Sequence, residues 1–108
     1  MTKRSYGFDT LMVHAGYQAD PTTKSMVAPI YQTTAYAFDS TEQAKDLFEL
    51  NAAGNIYTRL NNPPTAVLEE RMAALDGGVG ALAFSSGHAA MFGIIANLAQ
   101  AGDQVVSS

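Results

Sequence analysis

Between Ala89 and Leu98 the chain carries a segment with almost no polar face, interrupted only by Gly93 and Asn97. It is far too short to span a bilayer, which takes about 20 apolar residues. Read as a helix it is apolar nearly all round, and such a helix needs partners on both sides. Val79 to Phe84, just before it, is a short apolar run between turn signals and predicts a buried strand. After it, Ala101-Gly102-Asp103 predicts a break and Gln104-Val105-Val106 a second strand. Strand, helix and strand in this order are the unit of a parallel sheet with helices on its faces, so the predicted class is α/β.

The rest of the chain offers little to cover that helix. Phe8, Leu11 and Met12 have helical spacing, and Gly16 is a plausible stop. Residues 17–29, with Asp20-Pro21 and Pro29, read as a wandering surface segment, and Ile30 to Phe38 as extended. Tyr31, Tyr36 and Phe38 are expected in a core. Ser40-Thr41-Glu42-Gln43 matches a capping box opening a helix with Ala44, Leu47 and Phe48 on one face. Asn62-Pro63-Pro64-Thr65 signals another helix start, because proline is tolerated where its missing N–H is not needed. Val67, Leu68, Met72 and Leu75 follow at helical spacing, and Gly77-Gly78 ends that helix. One or two strands and two amphipathic helices are too few. The sequence stops at Ser107-Ser108, where a parallel sheet would place a binding loop, so a truncated domain is expected. A chain complete at 108 residues should be soluble alone, whereas a fragment with that helix uncovered should aggregate.

Charge and composition narrow the function. The balance of 47% apolar and 15% charged residues is a globular one. The net charge is −4 and no stretch concentrates the six Lys and Arg, which argues against a nucleic-acid partner. There is no cysteine, hence no disulfide framework and no thiolate metal site, and the two histidines, His14 and His88, are too scattered for a metal. His14 reads as a hydrogen-bonded helix-end residue. Met1 to Tyr6 leads into no apolar leader, so a cytoplasmic, non-membrane protein is expected.

Two short strings could carry chemistry. Ser85-Ser86-Gly87-His88 is a small turn between a predicted strand and a helix N-terminus, where free N–H groups and the helix dipole suit a phosphate. A plain N-cap at Ser86, with Gly87 merely fitting a tight turn, explains the same residues. It is not a dinucleotide fingerprint: Gly78 and Gly80 have no glycine partner at position 83, and no P-loop lysine follows. In Tyr57-Thr58-Arg59, residues two apart on an extended segment point the same way, so a phenol and a guanidinium could clamp a phosphate dianion. A surface arginine stacked on its neighbouring tyrosine is the plainer alternative. Glu69-Glu70 reads as a solvated helix face.

Taken together, Gly54-Asn55-Ile56-Tyr57-Thr58-Arg59-Leu60-Asn61-Asn62-Pro63, Val67-Leu68-Glu69, Ala74-Leu75-Asp76-Gly77-Gly78 and Ser85-Ser86-Gly87-His88-Ala89-Ala90 resemble the Cys/Met metabolism family of fold-type I pyridoxal-phosphate enzymes. His14-Ala15-Gly16 and Pro29-Ile30-Tyr31-Gln32-Thr33-Thr34 look like the same family's N-terminal arm. The resemblance implies an arm and inter-subunit segment over residues 1–55 and the beginning of the cofactor-binding α/β domain over 56–108. It implies that Ser86, Gly87 and His88 hold the phosphate of pyridoxal 5'-phosphate. Tyr57 and Arg59 would then reach the cofactor of a neighbouring subunit in a homodimer or homotetramer.

The family usually reads Asn-Pro-Thr where this chain has a second proline, Pro64, which is compatible with a helix start. The family's ring-stacking aromatic, its pyridinium aspartate and its Schiff-base lysine are expected beyond Ser108. Lys3, Lys24 and Lys45 are the only lysines and none has the matching context, so no catalytic residue is expected in this chain and no activity from it alone. From Gly54 to Met91 the resemblance is strongest to the O-acetylhomoserine sulfhydrylase branch, and His88 stands where the lyases more often have methionine. That branch implies γ-replacement on O-acetyl-L-homoserine by sulfide. A methionine or cystathionine γ-lyase of the same family, and a stand-alone phosphate-binding or interaction module, are the alternatives.

Overall fold

Residues 6–107 are described in the computed structural model. The expectations that fall on residues 1–5, namely the N-terminus without a leader and the context of Lys3, lie outside the described residues, as does Ser108. Four helices follow one another: α1 (Phe8–His14), α2 (Thr41–Phe48), α3 (Pro63–Asp76) and α4 (Gly87–Leu98).

Several helix boundaries have a local cause. Gly16, two residues past α1, sits at φ +76°, in the left-handed region that favours glycine. Ser40 caps α2 by accepting from the Gln43 N–H at 3.1 Å. The return bond of the expected capping box lands one residue earlier, with the Asp39 N–H donating to Gln43 Oε1 at 2.6 Å. α3 carries proline at its first two positions and ends at Gly77 in the left-handed conformation. Ser86 caps α4. In the loop after α1, the Asp20 carboxylate accepts from the Thr23 N–H and hydroxyl and from the Thr22 N–H. Those bonds, the Thr23 N–H foremost, hold its carboxyl below the usual aspartate range.

The predicted strands are not formed among the described residues. Residues 80–84 and 103–107 join no ladder, and pairing is limited to an isolated antiparallel bridge between Ala35 and Tyr57. A strand is a relation between segments: without a neighbour to accept its bonds, an apolar run of the right length has nothing to pair with. The Ala83 N–H instead donates to the Glu69 carboxylate at 2.8 Å, so Glu69 is not the purely solvated face expected of it. Phe84 folds back over Gly93 of α4, where a Cβ would meet its ring at 2.8 Å.

The expected deficit of partners for α4 is borne out. Met91, Phe92, Ile94, Ile95 and Leu98 are all exposed, and Leu47 and Ala73 are the buried apolar residues of the described chain. Tyr31 and Phe38, expected in a core, are 40% and 38% exposed, although the Phe38 ring lies against that of Phe48 with centroids 6.1 Å apart. The radius of gyration is 17.4 Å, against about 13 Å for a compact domain of this length.

What order exists is built on α3. Among the described residues α1 and α3 are the pair of helices that pack together. Gly16 makes the approach possible, because a Cβ there would lie 2.5 Å from the Val67 carbonyl oxygen and 3.0 Å from the Arg71 nitrogen. Gly16→Ala therefore faces both a disfavoured φ and a clash. It should lower the stability of the full chain by about 1–3 kcal/mol, read as a shift in urea midpoint. An unmoved midpoint would show that the arm does not rest on α3.

Candidate functional site

At the start of α4, the side chain of Ser86 accepts from the Ala89 N–H at 3.1 Å, and the Ser86 carbonyl accepts from Ala90. The N–H groups of Gly87 and His88 precede the helical ladder and have no acceptor among the described residues. The Ser86 hydroxyl keeps its own proton to donate. Gly87 has no positive φ, and nothing lies within 4 Å of where its Cβ would be. Neither backbone strain nor crowding by this chain explains a glycine there. The result is an exposed turn with two aligned N–H donors, an O–H donor and open space before them, to which an anion is the fitting ligand.

Tyr57 and Arg59 are brought together, though not by strand alternation. Tyr57 makes the bridge to Ala35, and the chain then turns, with the Leu60 and Asn61 N–H groups both donating to the Tyr57 carbonyl at 2.8 and 3.1 Å. The turn brings the Arg59 guanidinium over the Tyr57 ring, 5.1 Å from its centre. Both side chains line a cleft of about 370 Å³ with Tyr36, Phe38, Phe48 and Ile56, and none of Ser86, Gly87 or His88 borders it. A larger cleft of about 760 Å³, where the arm crosses α3, contains none of the five candidate residues. His14 lines that cleft, but its imidazole makes no hydrogen bond among the described residues, contrary to expectation. It ends a helix of seven residues, none of them buried, and is itself exposed.

Two residues that hold this arrangement are not evident from spacing. The Asn62 side chain is buried at 7% exposure and directs its amide nitrogen to the Tyr31 carbonyl (3.0 Å), the Tyr36 phenol oxygen (3.1 Å) and the Thr58 hydroxyl (3.2 Å). It does not cap α3, although it occupies the N-cap position. Pro64 carries no N–H at the second helical position, one of the two donors an N-cap oxygen takes, and the amide nitrogen that makes the long-range bonds is not the atom that capping uses. The doubled proline marks the helix start and does not point to these partners. The second residue is Arg71, whose Nε donates to the Ala15 carbonyl at 2.8 Å and pins the arm to α3. A lone arginine between Val67 and Leu75 on a helix face with apolar neighbours is the faint sign of it.

The chain belongs to the Cys/Met metabolism PLP-dependent enzyme family, whose pattern it matches over residues 9–108. It is 56% identical over 101 residues to O-acetyl-L-homoserine sulfhydrylase 1 of Thermus thermophilus, an alignment covering 94% of this chain and 24% of that protein. Among solved structures it resembles an O-acetylhomoserine (thiol)-lyase of Campylobacter jejuni that carries a pyridoxyl-lysine phosphate, with a TM-score of 0.86 and 43% identity over 92% of this chain and 24% of that one. Cystathionine gamma-lyase of Lactobacillus plantarum, solved with L-serine, gives a TM-score of 0.71 and 28% identity over 86% of this chain and 22% of that one. The fold is therefore that of the fold-type I pyridoxal-phosphate enzymes. The chain spans about a quarter of the length of these relatives.

Proposed function

We propose that these residues form the phosphate-gripping part of an enzyme that performs γ-replacement on O-acetyl-L-homoserine, in which sulfide or a thiol displaces acetate to give homocysteine or methionine. The observation that carries the reading is the start of α4: two free N–H donors and an empty approach at Gly87, in a chain of this family. The gradient of identity, from 56% with a sulfhydrylase to 28% with a γ-lyase, favours replacement over elimination.

Pyridoxal 5'-phosphate, when bound, supplies an electron sink that eases loss of the substrate's α and β protons and departure of acetate. This chain's residues supply the hold on it. The Gly87 and His88 N–H groups and the Ser86 hydroxyl donate to the phosphate, and the positive end of α4 favours its charge. Tyr57 and Arg59 extend to the cofactor phosphate of the neighbouring subunit in a homodimer or homotetramer. The lysine that moves protons belongs to a part of the enzyme outside these residues, and the 108 residues alone are inactive. Residues 1–55 serve as arm and inter-subunit segment and 56–108 as the start of the cofactor domain, in a cytoplasmic enzyme.

The full chain, given O-acetyl-L-homoserine and sulfide, should release acetate and homocysteine in equal amounts. Production of ammonia and a keto acid from methionine or cystathionine, with no sulfide consumed, would assign a γ-lyase instead.

Gly87→Ala should leave the cofactor-free protein as stable as before, because the Cβ meets nothing in this chain. It should weaken cofactor binding by about 1–3 kcal/mol, the range for overpacking a fitted site, in a titration of the apoenzyme. Equal affinity would make Ser86-Gly87 a cap and nothing more.

Arg59→Ala should weaken the same binding by about 1.5–3 kcal/mol, the range for a charge-assisted hydrogen bond. His88→Ala is the companion variant and should change it little, since its backbone N–H is what binds. Undiminished affinity in Arg59→Ala would return Arg59 to a stacked surface residue, and a large loss in His88→Ala would reveal a role for the imidazole.

A further inference from the structure

We infer that Asn62 is the positioning residue for the Tyr57–Arg59 clamp, an inference that rests on the clamp reading above. Two segments meet at its amide nitrogen, whose two protons face three acceptors: the Tyr31 carbonyl and the Tyr36 phenol oxygen from one segment, and the Thr58 hydroxyl from the other. Thr58 is the residue between Tyr57 and Arg59, so the amide holds the middle of the clamp from behind while the two functional side chains stay exposed to the cleft.

The direction of these bonds is set by chemistry. The Thr58 hydroxyl spends its one proton on the Thr33 carbonyl, which leaves it only lone pairs to offer Asn62. The Tyr31 carbonyl can likewise only accept. Residue 62 must therefore be a donor toward both. Asparagine satisfies this with its NH₂ group, whereas aspartate, nearly identical in shape, would set oxygen against oxygen.

The backbone around Thr58 reinforces the placement. Its N–H donates to the Thr34 carbonyl at 2.9 Å, and the Tyr36 N–H donates to the Ile56 carbonyl at 3.2 Å. Asn61 closes the other side, donating to the Gly54 carbonyl at 2.6 Å and accepting from the Ile56 N–H at 3.3 Å. Asn62 is nonetheless the group that joins this bridge to α3, the element on which the arm rests. Without it the clamp is tied to the extended segment alone, and Arg59 loses a fixed origin from which to reach a phosphate. Orientation of this kind acts on binding through another residue, so its effect depends on that residue being present.

The test is a double-mutant cycle on the full chain, reading pyridoxal 5'-phosphate affinity by titration of the apoenzyme alongside apoenzyme melting. Asn62→Ala should weaken affinity about three- to tenfold in an otherwise unaltered protein, but by no more than about twofold when Arg59→Ala is already present. Asn62→Asp should behave as Asn62→Ala does, because it keeps the shape and loses the donors. Thr58→Val, at an exposed residue, should reproduce the pattern if Asn62 variants fail to fold. A general structural role would move melting and would add its full effect in both backgrounds. That additivity, or recovery by aspartate, overturns the inference while leaving the clamp intact. Undiminished affinity in Arg59→Ala alone removes the clamp reading and this inference with it.

Discussion

One buried side chain ties together much of what this chain holds in place. Asn62 stands at the N-cap position of α3, before Pro63 and Pro64, and directs its amide nitrogen toward Tyr31, Tyr36 and Thr58. A helix start is normally a local matter, closed within four residues. Here it becomes a long-range tie, spanning 31 residues to Tyr31. Further along the same helix, Arg71 reaches back to Ala15 and Gly16 lets the arm lie close. α3 is thus the rail on which the arm and the Tyr57–Arg59 turn are both fixed, and it does this through polar bonds and one glycine rather than through an apolar core.

The apolar core is elsewhere, waiting for partners. Leu47 and Ala73 bury too little to offset the entropy of ordering about a hundred residues, which costs roughly 1–2 kcal/mol each. The exposed side chains of α4 and of the runs on either side of it supply the missing area once they are covered. Their pattern is that of a segment enclosed on two faces, as helices in a sheet-and-helix layer are. In the relatives this chain makes up about a quarter of the whole, and the surface it exposes is of the kind such a layer encloses.

The elements written in local chemistry were legible in the sequence. Ser40 with Gln43, the proline start of α3, its end at Gly77 and the Ser86 cap are short-range devices, and each stands where residue types alone put it. The strands at Val79–Phe84 and Gln104–Val106 were read from apolar runs whose meaning depends on neighbours, and without those neighbours the described chain leaves them unpaired. Tyr31 and Phe38 failed as core residues on the same ground. At the site, Tyr57 with Arg59 and Ser86 with Gly87 and His88 were visible because their spacing is short. Asn62 and Arg71 were not, because what they bind lies 31 and 56 residues away. Only a folded chain brings those partners within reach.

The start of α4 has two explanations, a cap or an anion site, and its geometry accommodates both. A serine N-cap has one oxygen to offer, and here it goes to the third helical N–H, that of Ala89. The first two, on Gly87 and His88, have no acceptor among the described residues, and N–H groups at a helix start point along its axis. Capping therefore does not consume the site; it fixes the turn so that the remaining donors share one direction. A phosphate with several acceptor oxygens can take both N–H groups and the serine proton together, which a single water could not do as well. On that reading the absent side chain at Gly87 keeps the donors open, because a Cβ there would meet nothing within 4 Å in the described chain. On the proposed reading an arginine from a second chain would complete the hold from the opposite side; within the described chain Arg59 is exposed and stacks on Tyr57, 5.1 Å from its ring centre.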